Sequence, residues 1–405
     1  MRSMLQTFGG RVERALVGRL PADVAFNVRI ELLASVAYGA FFAACLGFLP
    51  VVLRRLGATT DQLALYVMFN YLGLIFSPLS MTALRWVTPM RMAAVCWGVG
   101  RGLFLLGFAV TGAGWMLALT AVFWVMESLP SPAYSRIMQQ GYPRQYRGRA
   151  MAGIRVGMAL TVLLLTPLAG LLLDLVGYQV LFPIAGFFGI LSVVIFRRMD
   201  LRDVPEEPQA QPSVNELLPI LLRNRSLLFY LLALTVYGFG AVMPVALYPV
   251  VQVSRLGLSY TEIGGLGLVQ SLFWLIGFFF WGRVLDQRGP LWVLQVSVVC
   301  AIIVPFTYIW ADSAWMLVPA FIAQGLLQGG FELGVTNTTI ALAERGRVIE
   351  YAALQTATIG LRGMLAPFVG TLLLGMGVSE TTLFAVAAAM VASSLVFFAR
   401  VRMPK

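Results

Sequence analysis

Twelve stretches of mostly apolar residues run along the chain with short polar gaps between them. Each is close to the ~20 residues that carry a helix across ~30 Å of hydrocarbon. They fall at 31–53, 61–84, 91–111, 114–138, 150–173 and 177–196, then at 226–250, 261–284, 291–310, 313–340, 350–375 and 379–399. The runs are continuous rather than alternating, which is a helical pattern and not that of a membrane β-barrel. The prediction is an all-α membrane protein of twelve transmembrane helices in two six-helix bundles. Its expected parts are a cytoplasmic N-terminal segment (1–27), a first bundle (28–196), a cytoplasmic linker (197–225) and a second bundle (226–405).

The two bundles are expected because the chain repeats itself at a period of about 200 residues. Tyr38-Gly39, Pro50-Val51-Val52 and Leu56-Gly57 recur as Tyr237-Gly238, Pro249-Val250-Val251 and Leu256-Gly257. Trp115-Met116-Leu117 recurs as Trp315-Met316-Leu317, and Arg147-Gly148-Arg149 as Arg345-Gly346-Arg347. Pro167 and Gly170 recur as Pro367 and Gly370. Between the copies, Arg197-Arg198 is followed by four acids and by Pro205, Pro208 and Pro212, a linker composition. Residues 214–222 (VNELLPILL) are expected to lie along the membrane surface.

Composition agrees: 59% of residues are hydrophobic, 12% are charged, and mean hydropathy is +0.84. A soluble domain is nearer ~25% charged. The net charge of +11 would suggest nucleic acid in a soluble chain, but no soluble basic domain exists to bind it. The 29 basic residues instead set orientation. With the N-terminus inside, 24 fall on the cytoplasmic side, only Arg54, Arg55 and Arg255 fall outside, and Arg101 and Arg362 lie within spans. Both termini are therefore expected in the cytoplasm, in a multi-pass cytoplasmic (inner) membrane protein. No histidine is present, so histidine-based metal sites and proton relays are excluded. Cys45, Cys96 and Cys300 each sit inside an apolar run and form no metal or disulfide pattern. No cofactor or metal is expected, and the absence of a P-loop argues against nucleotide hydrolysis. The first 27 residues carry four arginines and no apolar core, so they do not read as a cleaved signal.

Over its whole length the chain resembles the major facilitator superfamily. The sharpest local match is Gly282-Arg-Val-Leu-Asp286-Gln-Arg288-Gly289, similar to that superfamily's loop motif of glycine, three residues, aspartate, two residues and glycine. The resemblance makes Gly282, Asp286 and Gly289 a gating motif; a plain helix-end cap is the other reading of Asp286. The first-half counterpart, Ser80-Met-Thr-Ala-Leu-Arg85, carries no acid. Thr166-Pro167-Leu168-Ala169-Gly170 resembles an eroded form of the proton-antiporting exporters' fifth-span signature, but Ala366-Pro367-Phe368-Val369-Gly370 looks alike in span 11.

An ionisable group at membrane depth is a functional candidate by default. Glu127 lies twelve positions from Trp115 and Arg101 ten from Arg91, which puts both near mid-membrane at ~1.5 Å per residue. They are expected to pair, either as a strut or with Glu127 in a coupling role. Gln324, Gln328 and Glu332 form a polar stripe at spacings of four, which suits a water-filled cavity, and Glu332 is, with Glu127, a candidate coupling carboxylate. Arg362, twelve positions from Glu350, is expected either to bind an anionic part of a solute, to pair with Glu332, or to pack permanently. Asn70 and Gln270 match between spans 2 and 8, and Tyr38 and Tyr237 between spans 1 and 7. The resemblance places Asn70, Gln270, Glu332 and Arg362 on cavity-lining helices; solute contact and interhelical packing are the two readings of Asn70 and Gln270, as of the tyrosines. Glu31, Arg29 and Arg155 are near predicted cytoplasmic ends, where snorkelling accounts for them.

The resemblance implies a secondary active transporter, not an enzyme. It would act as a monomer on a small-molecule substrate in the lipid bilayer, drawing on protons or another coupling ion, with a lean to export. The alternatives are an uptake permease for an anionic metabolite and a non-transporting sensor or assembly factor.

Overall fold

With no water in hydrocarbon to bond a peptide group, a spanning segment has to close its own hydrogen bonds, and every regular element described here is helical. The computed structural model describes residues 20–76, 84–202, 219–221, 223–344 and 347–403. Among them eleven helices are long and apolar enough to cross a membrane. A further apolar helix, Thr60–Phe76, has 17 residues and runs to the edge of the described region. The predicted surface stretch at 214–222 lies outside the described residues apart from 219–221, which are helical. The N-terminal segment before residue 20, residues 80–83 of the first-half loop, and the Arg345-Gly346 repeat mark also lie outside them.

The helices follow the predicted runs, with those that begin at Ala22, Arg144, Tyr260 and Val348 starting earlier than predicted. The first half holds α1 (Ala22–Phe41), α2 (Leu49–Arg55), α3 (Thr60–Phe76) and α4 (Pro89–Gly102). It continues with α5 (Ala113–Ser128), α6 (Ser131–Gly141), α7 (Arg144–Val176) and α8 (Tyr178–Phe196). The second half holds α9 (Arg225–Val242), α10 (Tyr260–Arg288), α11 (Pro290–Trp310), α12 (Ala314–Leu342), α13 (Val348–Gly375) and α14 (Glu380–Phe398). One correction matters for function. α1 starts at Ala22 behind Pro21, nine residues before its apolar run begins. Asn27 and Arg29 dilute the hydropathy of that stretch, but Val24, Ala25 and Val28 are buried and hold it in the helix.

The repeat is visible in the backbone. α1 gives way to a π-helical turn at Phe42–Leu46 before α2, and α9 is followed by a 3₁₀ turn at Val245–Leu247 and a π turn at Val251–Arg255. Pro50 is the second residue of α2, and Pro249 falls in the short helical turn Tyr248–Val250 between the two irregular turns of the second copy. Gly57 and Gly257 both take positive φ (86° and 60°), as do Gly177 and Gly377 (76° and 88°). An L side chain is strained at each of these corners.

Two compact units emerge from the contacts. One takes the described residues up to Val52 and those of Phe76–Glu207; the other takes Leu53–Ile75 and the described residues from Pro208 onward. In the first, α8 packs on α1 and α4, and α7 packs on α1. Asn27 ties the start of α1 to the ends of α6 and α8: its Nδ2 donates to the Gly141 and Asp200 carbonyls (3.1 and 2.7 Å), and its Oδ1 accepts from the Asp200 amide (2.8 Å).

In the second unit α12 packs on α10 and α11, and α9 packs on α13 and α14. α3 approaches α13 through the Tyr71 ring on Gly363 and Ile75 on Gly360. Arg54 donates to Ser254 Oγ (2.9 Å) and to the Ala58 carbonyl (2.8 Å). Arg55 donates to the Leu258 carbonyl (2.6 Å) and lies 3.7 Å over the Tyr260 ring.

Small residues allow the closest of these approaches, as they do between membrane helices generally. A Cβ at Gly325 would run into the Gln270 carbonyl and the Trp274 amide of α10, whereas Gly265 faces open space. Gly325→Val should therefore cost about 1–3 kcal/mol by overpacking against backbone. Gly265→Ala should be neutral or slightly stabilising. Thermal unfolding of the two purified variants in detergent checks the contrast.

Candidate functional site

The first unit holds a half-open cavity of about 270 Å³ lined by residues of six helices. Glu31, Ala34, Ser35 and Tyr38 follow the i, i+3, i+4, i+7 spacing that lines one side of α1. Trp97 and Arg101 are one turn apart on α4, and Ser192 and Phe196 one turn apart on α8. Arg155 and Met158 come from α7. Glu127 and Tyr134 come from α5 and α6, which would be one rod but for Pro130 and Pro132.

Arg101 and Glu127 are brought together as the depth arithmetic predicts. The guanidinium takes both carboxylate oxygens, Nε to Oε2 at 3.1 Å and Nη2 to Oε1 at 2.7 Å, and Nη1 donates to Ser192 Oγ at 2.6 Å. Both side chains are buried to within a few percent to a seventh of full exposure (7% and 14%). Such a bidentate pair is directional as well as strong. Gly189 lets α8 approach the Arg101 Cβ, and Tyr38 and Trp97 flank the guanidinium at 4.3 and 5.0 Å from their ring centroids. Trp97 Nε1 also donates to the Glu127 carbonyl.

Glu31 departs from the snorkelling expectation. It is 3% exposed, and the hydroxyls of Tyr134 and Tyr142 donate to its two carboxylate oxygens at 2.8 and 2.6 Å. The physical reason is the early start of α1, which puts Glu31 in the third turn of a packed helix instead of at a wet end. Arg155, also assigned to snorkelling, lines the cavity. Burial and the neighbouring carboxylate push the Tyr142 hydroxyl far above its ordinary pKa, so it remains a donor at any physiological pH. The sequence signal for Glu31 was a lone acid with buried apolar neighbours at i−3, i+1 and i+3; the tyrosines gave no signal of their own.

The second unit places Arg362 on α13, 5% exposed, with Nε and Nη1 lacking any hydrogen-bond partner. An orphaned buried donor costs about 1–3 kcal/mol, and more on a charged group. The expected pair with Glu332 is not formed. The guanidinium lies instead across Gly238 of α9, whose missing side chain leaves the room, 5.8 Å from the Tyr237 ring centroid. The titratable groups around it are the phenols of Tyr237, Tyr71 and Tyr230. Tyr237 is itself stacked on Phe331 (4.7 Å).

The remaining candidates are spread along their helices. Asn70 on α3 and Gln270 on α10 are half-buried. On α12, Gln324 and Glu332 are half-buried and Gln328 is exposed. Gly282 and an exposed Asp286 lie in the last turns of α10, and Gly289 closes that helix with φ +83° before Pro290 opens α11. No group of histidine, cysteine and acids able to hold a metal occurs among the described residues.

Eleven helices long and apolar enough to cross a membrane, with charges buried among them, are the marks of a multi-pass membrane protein. The family model of the major facilitator superfamily matches residues 31–322, and the chain belongs to that superfamily, whose members work by alternating access. No curated protein matches it in sequence. Among solved structures it is similar to the nucleoside transporter NupG, with a TM-score of 0.68 at 14% identity, covering 95% of this chain and 100% of that one. A point mutant of NupG gives a TM-score of 0.73 at 13% identity, covering 93% and 99%. A bacterial homolog of the human lysosomal transporter Spinster, inward-facing and unoccupied, gives 0.64 at 16% identity, covering 94% and 96%.

Removing one partner of the Arg101–Glu127 pair should leave an uncompensated buried charge. Arg101→Leu alone is expected to cost about 3–5 kcal/mol, and the double variant with Glu127→Leu to recover most of it. A double-mutant cycle on thermal unfolding measures the coupling directly.

Proposed function

We propose that this protein moves a small organic solute across the cytoplasmic membrane by alternating access, coupled to the proton gradient, with both termini in the cytoplasm. Membership of the superfamily supplies the transport reading. The observation that carries the coupling is Glu31, a buried carboxylate at the wall of a cavity, held by two neutral hydroxyls. A carboxylate so held can take up and release a proton without pulling an ion pair apart. Glu127 is less suited, because protonating it breaks two charge-assisted bonds to Arg101. We therefore assign Glu127 to the strut role and move the coupling role to Glu31. Rocking of the halves would change which side supplies water to that carboxylate.

The eroded fifth-span signature leans toward export. Uptake of an anionic metabolite is the second reading, and the observation favouring it is Arg362, a buried cation with two idle donors. A sensor would bind the solute and move none of it.

In proteoliposomes carrying a pH gradient, Glu31→Gln should abolish uphill accumulation of labelled solutes, tested with a nucleoside and a monocarboxylate, while leaving downhill exchange. Glu332→Gln, measured beside it, should keep both. Undiminished uphill accumulation by Glu31→Gln would remove that residue from coupling. The absence of flux in the wild type for every solute would favour the sensor.

A further inference from the structure

We infer that Arg362 is the receiving group of an anion site, and that the solute carries a small oxyanion group such as a carboxylate or phosphate. The inference rests on the transport reading above and narrows its substrate class. Four observations meet at this side chain. The guanidinium is 5% exposed on a membrane-spanning helix, yet no ion pair involves it among the described residues. Two of its nitrogens, Nε and Nη1, have no hydrogen-bond partner. The titratable groups facing it, from α3 and α9, are the phenols of Tyr71, Tyr230 and Tyr237, which leave its positive charge uncompensated at ordinary pH. Its place is built, because Gly238 supplies the floor on which the guanidinium lies, and Gly363, next to it in sequence, receives the Tyr71 ring.

A charge kept in this way is completed by a ligand of opposite sign. Arg101, the other buried arginine, shows the alternative: its three nitrogens are all spent on Glu127 and Ser192. Tyr71 and Tyr237 border the guanidinium, and a phenol hydroxyl is a donor that can serve an oxyanion beside it. Tyr237, stacked on Phe331, and Tyr71, packed on Gly363, make the surround of the guanidinium aromatic.

The test is thermal unfolding of the purified full chain in detergent at rising concentrations of benzoate, phenyl phosphate and benzamide, three probes of one ring that differ in charge. The two anions should stabilise the wild type in a concentration-dependent way and the amide should not. Arg362→Gln should weaken anion binding about tenfold or more. Gly238→Ala, whose new methyl would displace the guanidinium, should weaken it in the same direction, and serves if Arg362→Gln fails to fold. Equal stabilisation by benzamide, no stabilisation by either anion, or anion binding unchanged in both variants overturns the site. Accumulation in proteoliposomes, measured on the same preparation, separates this from the transport reading. A protein that binds anions through Arg362 but accumulates nothing loses the reading and keeps the site; one that accumulates a nucleoside and ignores anions does the reverse.

Discussion

Hydrocarbon offers no partner to a polar group, so whatever this chain carries into the membrane has to be answered by the chain itself. The backbone answers with helices. The buried charges are answered in three different ways. Arg101 and Glu127 neutralise each other with Ser192 as the third ligand. Glu31 receives two phenol hydroxyls and keeps a carboxylate that can change its proton count without breaking an ion pair. Arg362 is left partly unanswered. The first arrangement suits a strut, the second coupling, and the third capture.

Glycine decides where both arginines go. Gly189 of α8 sits against the Arg101 Cβ, and Gly238 of α9 lies under the Arg362 guanidinium. In each case a neighbouring helix gives up a side chain so that a long cation can lie along it. The same device sets helix spacing at Gly325 and at Gly334, which abuts the Leu294 backbone. Spacing and charge placement are thus one problem, solved by the same residue type.

The span positions were legible because a run of apolar residues near membrane thickness leaves few alternatives, and the Arg101–Glu127 pair followed from counting residues to equal depth. Glu31 was misread for a local reason: Asn27 and Arg29 interrupt the apolar run, so hydropathy starts α1 nine residues late and leaves a buried acid looking like a helix end. Of the readings offered for Arg362, the pair with Glu332 is not formed, because depth fixes height along a helix but not the direction of a side chain; the guanidinium lies instead across Gly238 of a third helix. The allegiance of Leu53–Ile75 to the second compact unit was invisible too, since it depends on Tyr71 and Ile75 meeting Gly363 and Gly360 nearly 300 positions later. The duplication, by contrast, survives in the backbone at Gly57 and Gly257 more clearly than in most side chains.

The clasp made by Arg54 and Arg55 grips two main-chain carbonyls, a serine hydroxyl and the face of a phenol ring. None of those acceptors gains a proton in the range a cell meets, and a guanidinium does not lose one there. These hydrogen bonds therefore hold with the same strength in acid and in neutral surroundings.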